Sequence, residues 1–257
     1  MISVQHVSLS FGGIRAVNDC SLEVAKGSIT GLIGPNGAGK TTLFNIIAGV
    51  YRPSAGKVLL DGADVTGRKP HELFARGLVR TFQIAHEFAS MPVIENLLVV
   101  PPGQAGEQLV NVWRGAGRIR EQEAELRRRA EDVIAFLRLG PVKYEKAGNL
   151  SGGQKKLLEL ARTMMTDPKV VLLDEVGAGV NRTLLGEIAG FIERLNKERG
   201  YTFFLIEHDM DLIARLCRPV IVMAEGRVLT QGGMEDIRRD PRVVEAYFGG
   251  GAARSAA

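Results

Sequence analysis

The sequence contains one glycine-rich segment of fixed spacing, Gly34-Pro35-Asn36-Gly37-Ala38-Gly39-Lys40-Thr41, directly after an apolar run at residues 28–33. It fits the pattern G-x-x-x-x-G-K-[ST] at every fixed position. Glycines there let consecutive backbone N–H groups surround phosphate oxygens, while the lysine reaches the β- and γ-phosphates and the threonine hydroxyl can bind Mg²⁺. The alternative is a glycine-rich turn with an accidental Lys-Thr pair. The segment predicts a strand, a phosphate-binding loop, a helix from Lys40 and a nucleoside triphosphate site.

Length and composition are those of a globular protein. The 257 residues are 45% apolar and 24% charged, with two cysteines and a net charge of +4. These values exclude collagen-like, disordered and disulfide-rich classes. No apolar run approaches the roughly 20 residues that span a bilayer, and the start lacks a leader pattern. We therefore expect a cytoplasmic chain, neither secreted nor inserted in a membrane by itself, with Cys20 and Cys217 as buried free thiols.

Short apolar runs alternate with helical segments along much of the chain. Runs at residues 28–33, 170–173 and 202–206 each precede a helical stretch, which is the pattern of parallel strands with crossover helices. Residues 2–9, 17–24 and 56–60 read instead as antiparallel strands, because glycine-containing turns adjoin them. The fold class predicted is α/β, with a parallel sheet and an antiparallel β subdomain.

A helical insertion is predicted between these strands. Residues 92–162 contain no strong strand, and apolar residues recur at helical spacing at Ile119, Leu126, Ala130, Val133, Ile134 and Leu137. Glu125 precedes Arg129 by four residues, so the run 127–129 is interpreted as a solvated helix face and not as a nucleic-acid patch. We predict a single domain over 1–248, a helical subdomain over about 86–162 and a flexible tail over 249–257.

Two adjacent carboxylates end the apolar run at 170–173. They are Asp174 and Glu175, and successive strand residues face opposite ways, so one can face Mg²⁺ while the other acts as general base on water. An Asp-Glu pair at a strand end is also common without any such role. Its combination with the phosphate loop favours the catalytic interpretation.

The segment Ser151-Gly152-Gly153-Gln154 heads another predicted helix. Its S-x-x-Q spacing alone predicts a capping box. A capping box does not explain two adjacent glycines in a first turn, whereas close approach of the backbone to a phosphate does.

The phosphate loop, Leu150 with this segment, and the strand ending in Asp174-Glu175 occur in the order that resembles the ATP-binding cassette family. The resemblance covers nearly the whole chain. It implies a P-loop NTPase core of the RecA type, with ATP and Mg²⁺ as ligands. It also implies a head-to-tail pair of cassettes, in which each ATP lies between the phosphate loop of one subunit and the Ser151-Gly152-Gly153 loop of the other.

The resemblance assigns roles to individual residues. It implies that Glu175 is the general base, that His208 contacts the γ-phosphate, and that Gln83 joins the shell of Mg²⁺ and water. The implied metal ligands are Thr41, Gln83 and Asp174. The residues implied to contact the nucleotide are Phe11, which would stack on adenine, Val17, Gly34, Pro35, Asn36, Gly37, Ala38, Gly39, Lys40, Thr41, Thr42, Ser151, Gly152, Gly153 and Gln154.

Finer motifs are similar to the ATPases of bacterial branched-chain amino-acid importers. They are residues 79–83, 91–98, 206–210 and 240–249. This likeness implies a second ATPase subunit that is a different chain, two membrane permeases and, indirectly, a periplasmic solute-binding protein, with this chain on the inner face of the membrane. Two positions depart from the family: Val176 stands where proline is common, and Asn181 where aspartate is frequent.

Three alternatives remain open at this point. A soluble cassette of iron–sulfur assembly or DNA repair, or an export ATPase such as that for lipopolysaccharide, has similar motifs. A P-loop kinase or GTPase is disfavoured, because neither uses a Leu-Ser-Gly-Gly-Gln helix. The transported solute is not readable from a chain that contacts only ATP and permease.

Overall fold

The computed structural model describes residues 1–81, 87–107 and 116–248. The strands are β1 (Ile2–Phe11), β2 (Ile14–Val24), β3 (Ile29–Ile33), β4 (Ala55–Leu60), β5 (Ala63–Asp64), β6 (Leu78–Arg80), β7 (Val170–Asp174), β8 (Thr202–Ile206), β9 (Val220–Ala224) and β10 (Arg227–Gly232). The α-helices are α1 (Lys40–Ile47), α2 (Pro70–Phe74), α3 (Val93–Leu98), α4 (Ala116–Phe136), α5 (Gly152–Met165), α6 (Arg182–Arg199), α7 (Met210–Leu216), α8 (Met234–Arg239) and α9 (Pro241–Phe248).

The chain divides into two compact units. The first comprises Met1–Arg80, Lys169–Ala178 and Leu185–Ala257, and the second comprises Thr81–Pro168 and Gly179–Leu184. The predicted tail, 249–257, lies outside the described residues.

The main sheet of the first unit has six strands in the order β10-β9-β3-β8-β7-β6. Strand β3 pairs in parallel with β8 and β9, and β7 pairs in parallel with β8 and β6. All five residues of β3, β7 and β8 are buried, as expected for parallel strands covered on both faces. The predicted α/β class with a parallel sheet is confirmed.

A second, antiparallel sheet has the order β2-β1-β4-β5. In register, Ile2 lies opposite Val24 on one side and Leu60 on the other, and these buried side chains belong to one core cluster with Phe44 of α1. Strands β1 and β2 are longer than predicted, because their pairing continues to Phe11 and Ile14 at the turn. The predicted antiparallel subdomain is therefore present.

The second unit is helical. Helices α3, α4 and α5 contact one another and, with the loop after α4, bury Leu97, Leu137 and Leu158 completely. One predicted pair is wrong: Glu125 pairs with Arg128, while Arg129 donates to the carbonyl of Met164 on α5 at 2.9 Å. The spacing predicts that Arg129 lies on the exposed face of α4. Instead, its side chain forms a hydrogen bond with the backbone of the neighbouring helix α5.

Both cysteines are free and buried, as predicted. Within the described ranges, none of the helices combines the length and hydropathy that crossing a bilayer requires.

Parallel pairing determines where the polar loops lie. Strands β3, β6, β7 and β8 run in the same direction, so the residues that follow them emerge at one edge of the sheet. The phosphate loop, Arg80, Glu175 and Glu207 are at or just beyond these strand ends. The candidate site is built on this edge.

Candidate active site

The phosphate loop connects buried strand β3 to helix α1, which begins at Lys40 as predicted. Gly34, the first residue of the loop, has a φ of 152°, and a Cβ there would lie 2.1 Å from the carbonyl oxygen of Met223 on β9. A side chain cannot fit against that backbone oxygen. Packing between β3 and β9 thus requires the first glycine of the motif, in addition to any contact with phosphate.

Lys40 is buried beneath this loop. Its Nζ donates to the carbonyl oxygens of Gly34 at 2.6 Å and of Pro35 at 3.0 Å. Burial lowers the pKa of Lys40, while the negative charges of Glu175 and Asp174 act in the opposite direction. The lysine therefore lies within the electrostatic field of the acid pair that follows β7. Thr41 is exposed beside it and Thr42 is half-buried.

Asp174 ends β7 and is held by an arginine. The Nη2 of Arg80, the last residue of β6, donates to Oδ2 of Asp174 at 2.9 Å, and Nη1 donates to Asn45 on α1. The Asp174 side chain is only 5% exposed. The guanidinium of Arg80 therefore compensates a carboxylate charge that would be unfavourable if it were buried alone. The sequence pattern did not predict this role for Arg80, because Arg80 reaches Asp174 only through the pairing of β6 with β7.

Glu175 follows Asp174 in a left-handed backbone conformation, with a φ of 53°. Its N–H donates to the carbonyl of Ile206 at 3.0 Å. Its Oε1 lies 3.0 Å from Nε2 of His208. His208 is the second residue after the end of the neighbouring strand β8. The side chain of Glu175 is 23% exposed and that of His208 is 52% exposed. Both groups can therefore reach water or a ligand.

Glu207 is absent from the predicted functional residues, yet it is buried between the same two loops. Its carboxylate accepts hydrogen bonds from the N–H of Gly177 at 2.8 Å and of His208 at 3.3 Å. Burial raises the pKa of Glu207, and these two N–H donors act to lower it. A charged residue directly after an apolar strand was the available sequence signal.

Phe11 and Val17 have different surroundings. Phe11 is 47% exposed, and its ring lies edge-on to Tyr51 with centroids 5.3 Å apart. Val17 has no exposed surface and pairs with Leu9 in the core. Phe11 is thus accessible to a ligand, whereas Val17 is not.

The second unit contains Ser151 to Gln154 at the start of α5. Oγ of Ser151 accepts from the N–H of Gln154 at 3.3 Å, and Oε1 of Gln154 accepts from the N–H of Ser151 at 2.9 Å. The capping box is therefore present. A Cβ on Gly153 would lie 1.9 Å from Cδ2 of Leu184, whereas one on Gly152 would meet nothing within 4 Å. Packing against Leu184 therefore explains the second glycine, but it does not explain the first.

Asn181 and Gln83 are the remaining residues that the sequence singles out. Asn181, where aspartate is frequent, caps the start of α6 by accepting from the N–H of Leu184 at 2.9 Å. An amide oxygen performs this capping as a carboxylate does. Gln83 lies outside the described residues, which omit 82–86.

The edge of the main sheet thus combines a loop shaped for phosphates with a carboxylate that can take a proton from water. Those are the requirements for hydrolysis of a nucleoside triphosphate. Proteins that carry this arrangement on a parallel sheet are P-loop NTPases.

Comparison with known proteins narrows this class. The chain belongs to the ABC transporter family, whose family model matches residues 17–178. A second model, described as branched-chain amino acid ATP-binding cassette transporter, matches residues 227–253. The chain is accordingly an ATP-binding and ATP-hydrolysing cassette.

Curated relatives match over almost the whole length. The probable branched-chain amino acid transport ATP-binding protein LivG of Archaeoglobus fulgidus is 42% identical over 97% of this chain and 95% of its own. The high-affinity branched-chain amino acid transport ATP-binding protein LivG of Escherichia coli K12 is 37% identical over 97% of this chain and 98% of its own.

Solved structures agree with the fold. The crystal structure of a nucleotide-free ATP-binding cassette from an ABC transporter is 36% identical, with a TM-score of 0.82 over 96% of this chain and 98% of its own. A cassette in its ADP conformation is 35% identical, with a TM-score of 0.82 over 97% of this chain and 98% of its own.

Proposed function

We propose that this chain is the ATP-hydrolysing subunit of a membrane importer for branched-chain or related amino acids. The substrate class is proposed from sequence identity. Relatives named as branched-chain amino acid transport proteins are 36–42% identical over 97% of this chain. The match of residues 227–253 to a model of that same transporter class supports it independently of the shared ATPase motifs.

Hydrolysis is proposed to use the residues at the edge of the main sheet. Lys40 and the loop N–H groups bind the β- and γ-phosphates, and Phe11 stacks on adenine. Glu175 takes the proton of the attacking water, since it is the partly exposed carboxylate of the pair. His208, 3.0 Å from Glu175, donates to the γ-phosphate and orients the base.

The donor set suits Mg²⁺. Thr41 offers a hydroxyl and Asp174 a carboxylate, which are the hard oxygen ligands that Mg²⁺ prefers. Gln83 is the third ligand we propose, through its amide oxygen. When bound, Mg²⁺ would neutralise charge that develops on the phosphates.

The working unit is proposed to be two cassettes placed head to tail. Each ATP would then accept hydrogen bonds from the phosphate loop of one subunit and from Ser151, Gly152 and Gly153 of the other. ATP favours the closed pair because it bonds to both subunits, and loss of the γ-phosphate favours reopening. The sequence likeness to importers suggests that the second cassette is a different chain.

Membrane permeases are proposed to detect this closure through the segment 84–91 that follows Gln83. At its end, a groove of the second unit is lined by Met91, Leu98 and Val99 together with charged residues. Val99 is 47% exposed, so an amphipathic helix from a permease on the inner face of the membrane could bury it. A periplasmic binding protein would deliver the solute to those permeases.

Uptake in the native host tests the transport assignment. The gene for this chain is deleted and replaced by the wild type or by Glu175→Gln, and uptake of radiolabelled leucine, isoleucine and valine is measured. We expect that deletion abolishes uptake and that only the wild-type gene restores it. Unchanged uptake in the deletion strain would contradict the importer function and favour a soluble or exporting cassette.

A further inference from the structure

A buried carboxylate outside the proposed catalytic set connects the two loops that carry Glu175 and His208. Glu207 is 4% exposed. Within the described ranges it forms no ion pair with a lysine or arginine; both of its oxygens face backbone N–H groups. A buried acid is destabilising unless its hydrogen bonds are satisfied. The burial of Glu207 directly before His208 therefore depends on these two backbone donors.

The two donors belong to different loops. Gly177, which donates to Oε1 at 2.8 Å, lies two residues after Glu175. His208 donates its backbone N–H to Oε2 at 3.3 Å. We name these two contacts the Glu207 bridge. A Cβ on Gly177 would lie 3.4 Å from Oε2 of Glu207 and 3.2 Å from Leu185, so the loop packs closely on the carboxylate.

Two further contacts join the same loops. The N–H of Glu175 donates to the carbonyl of Ile206 at 3.0 Å, and the Glu175 and His208 side chains meet at 3.0 Å. Glu175 is held at a φ of 53°, a conformation that costs a non-glycine residue about 1–3 kcal/mol and persists only where surrounding contacts fix it. The Glu207 bridge is one of these contacts, because it holds Gly177, two residues after Glu175.

We propose that Glu207 is a positioning residue for ATP hydrolysis, because its carboxylate fixes the backbone of both loops and thereby the distance between Glu175 and His208. This inference rests on the roles proposed above for those two residues. Glu207 acts through them and does not contact ATP. Its effect is therefore on turnover and not on nucleotide affinity.

Two variants separate the hydrogen bonds from the volume of the side chain. Glu207→Leu removes both acceptors at similar size, while Glu207→Gln keeps one carbonyl oxygen for Gly177. Since misplacing catalytic groups by an ångström can cost about 100-fold in rate, we expect kcat to fall by about that factor in Glu207→Leu and less in Glu207→Gln. The affinity for ATP, measured by equilibrium titration, remains near the wild-type value.

A matched control and a non-kinetic measurement exclude a merely structural role. Thr202→Val removes a part-buried hydrogen bond at the opposite end of the same strand, which the N–H of Gly27 donates to Oγ1 of Thr202 at 2.9 Å. It should lower stability without lowering kcat. Amide hydrogen exchange at Gly177 and His208 should become faster in Glu207→Leu and stay slow in Thr202→Val.

A double-mutant cycle tests whether Glu207 affects kcat through His208. If Glu207 acts through His208, then Glu207→Leu added to His208→Ala lowers kcat by much less than it does alone. Full additivity, or a Glu207→Leu enzyme with wild-type kcat, would overturn the positioning role. Absence of hydrolysis in the wild type would instead remove the proposed function, and the exchange measurement at Gly177 and His208 would still decide whether the Glu207 bridge fixes the loops.

Discussion

Nε2 of His208 lies 3.0 Å from Oε1 of Glu175. The two residues are far apart in sequence, and they meet because β7 and β8 pair in parallel with Asp174 opposite Ile206. Each residue follows its strand end on the same edge of the sheet. The contact thus places a proton acceptor next to a group that can orient it and donate to a phosphate.

Replacement of His208 should affect turnover more than binding. We expect His208→Ala to lower kcat by about 10²–10⁴-fold, the range typical of a positioned acid–base partner, while equilibrium titration gives a much smaller change in ATP affinity. His71→Ala is the matched control, because His71 is an exposed histidine on α2. Equal kcat for the two variants would exclude His208 from the catalytic set.

Lys40 should contribute chiefly to nucleotide affinity. Its buried Nζ bonds to two carbonyl oxygens of the phosphate loop, so it is already oriented within that loop. We expect Lys40→Ala to weaken ATP binding by at least about tenfold, or about 1.4 kcal/mol, since a charge-assisted hydrogen bond is lost. Lys26→Ala removes an exposed lysine and should bind normally. Wild-type affinity in Lys40→Ala, by titration with a fluorescent ATP analogue, would contradict this role.

The first and second glycines of the loop should differ in their effect on stability. A Cβ at Gly34 would lie 2.1 Å from a backbone oxygen, whereas one at Gly37 would meet nothing within 4 Å despite a φ of 81°. Urea denaturation should show a loss of more than about 3 kcal/mol in the free energy of unfolding for Gly34→Ala, and about 1–2 kcal/mol for Gly37→Ala. Equal losses would mean that the Met223 carbonyl moves away.

The thiols predict a fall in stability at alkaline pH. Burial raises the pKa of both Cys20 and Cys217 from 9.0 to about 12. Between these values the unfolded chain releases thiol protons that the folded chain retains. The free energy of unfolding should therefore decrease as pH rises above 9, by up to about 1.4 kcal/mol per pH unit for each thiol.

Comparison with a variant isolates this contribution from other groups that titrate in the same range. Urea denaturation at several pH values is performed on the wild type and on the double variant Cys20→Ala, Cys217→Ala. The wild type should lose more stability above pH 9 than the variant does. Parallel curves would mean that the thiols ionise equally in both states.

Local patterns were enough to predict the phosphate loop and its helix. Apolar residues before Gly34 and the motif itself fixed the end of β3 and the start of α1 at Lys40. The apolar run at residues 170–173 likewise predicted strand β7, which spans Val170–Asp174. These features depend on residues close in sequence, which is why pattern alone identified them.

Contacts between distant segments could not be predicted in this way. Strand β6 has three residues, which are too few for a periodic signal. The ion pair of Arg80 with Asp174 could not be predicted, because it depends on the pairing of β6 with β7. The hairpin of β9 and β10 was also missed, although Glu225 and Gly226 both have positive φ values at its turn. That dipeptide between two strand-like runs was the signal available.

The site assignments divide in the same manner. Residues within a dense motif, such as Lys40 and Glu175, could be proposed from order and spacing. Glu207 could not, because its function depends on which backbone N–H groups face a buried carboxylate. Hydrogen-bond partners of a buried group follow from tertiary packing and have no period in the sequence.

ATP hydrolysis by the intact transport complex tests the role of Glu175 as general base. A tagged form of this chain is purified from membranes of the native host with its partners, and ATP hydrolysis and ATP binding are measured for the wild type and Glu175→Gln. We predict hydrolysis in the wild type that increases when an amino-acid-loaded binding protein is added, and normal binding without steady turnover in Glu175→Gln. Undiminished hydrolysis in Glu175→Gln would contradict the assignment of the base and with it the mechanism.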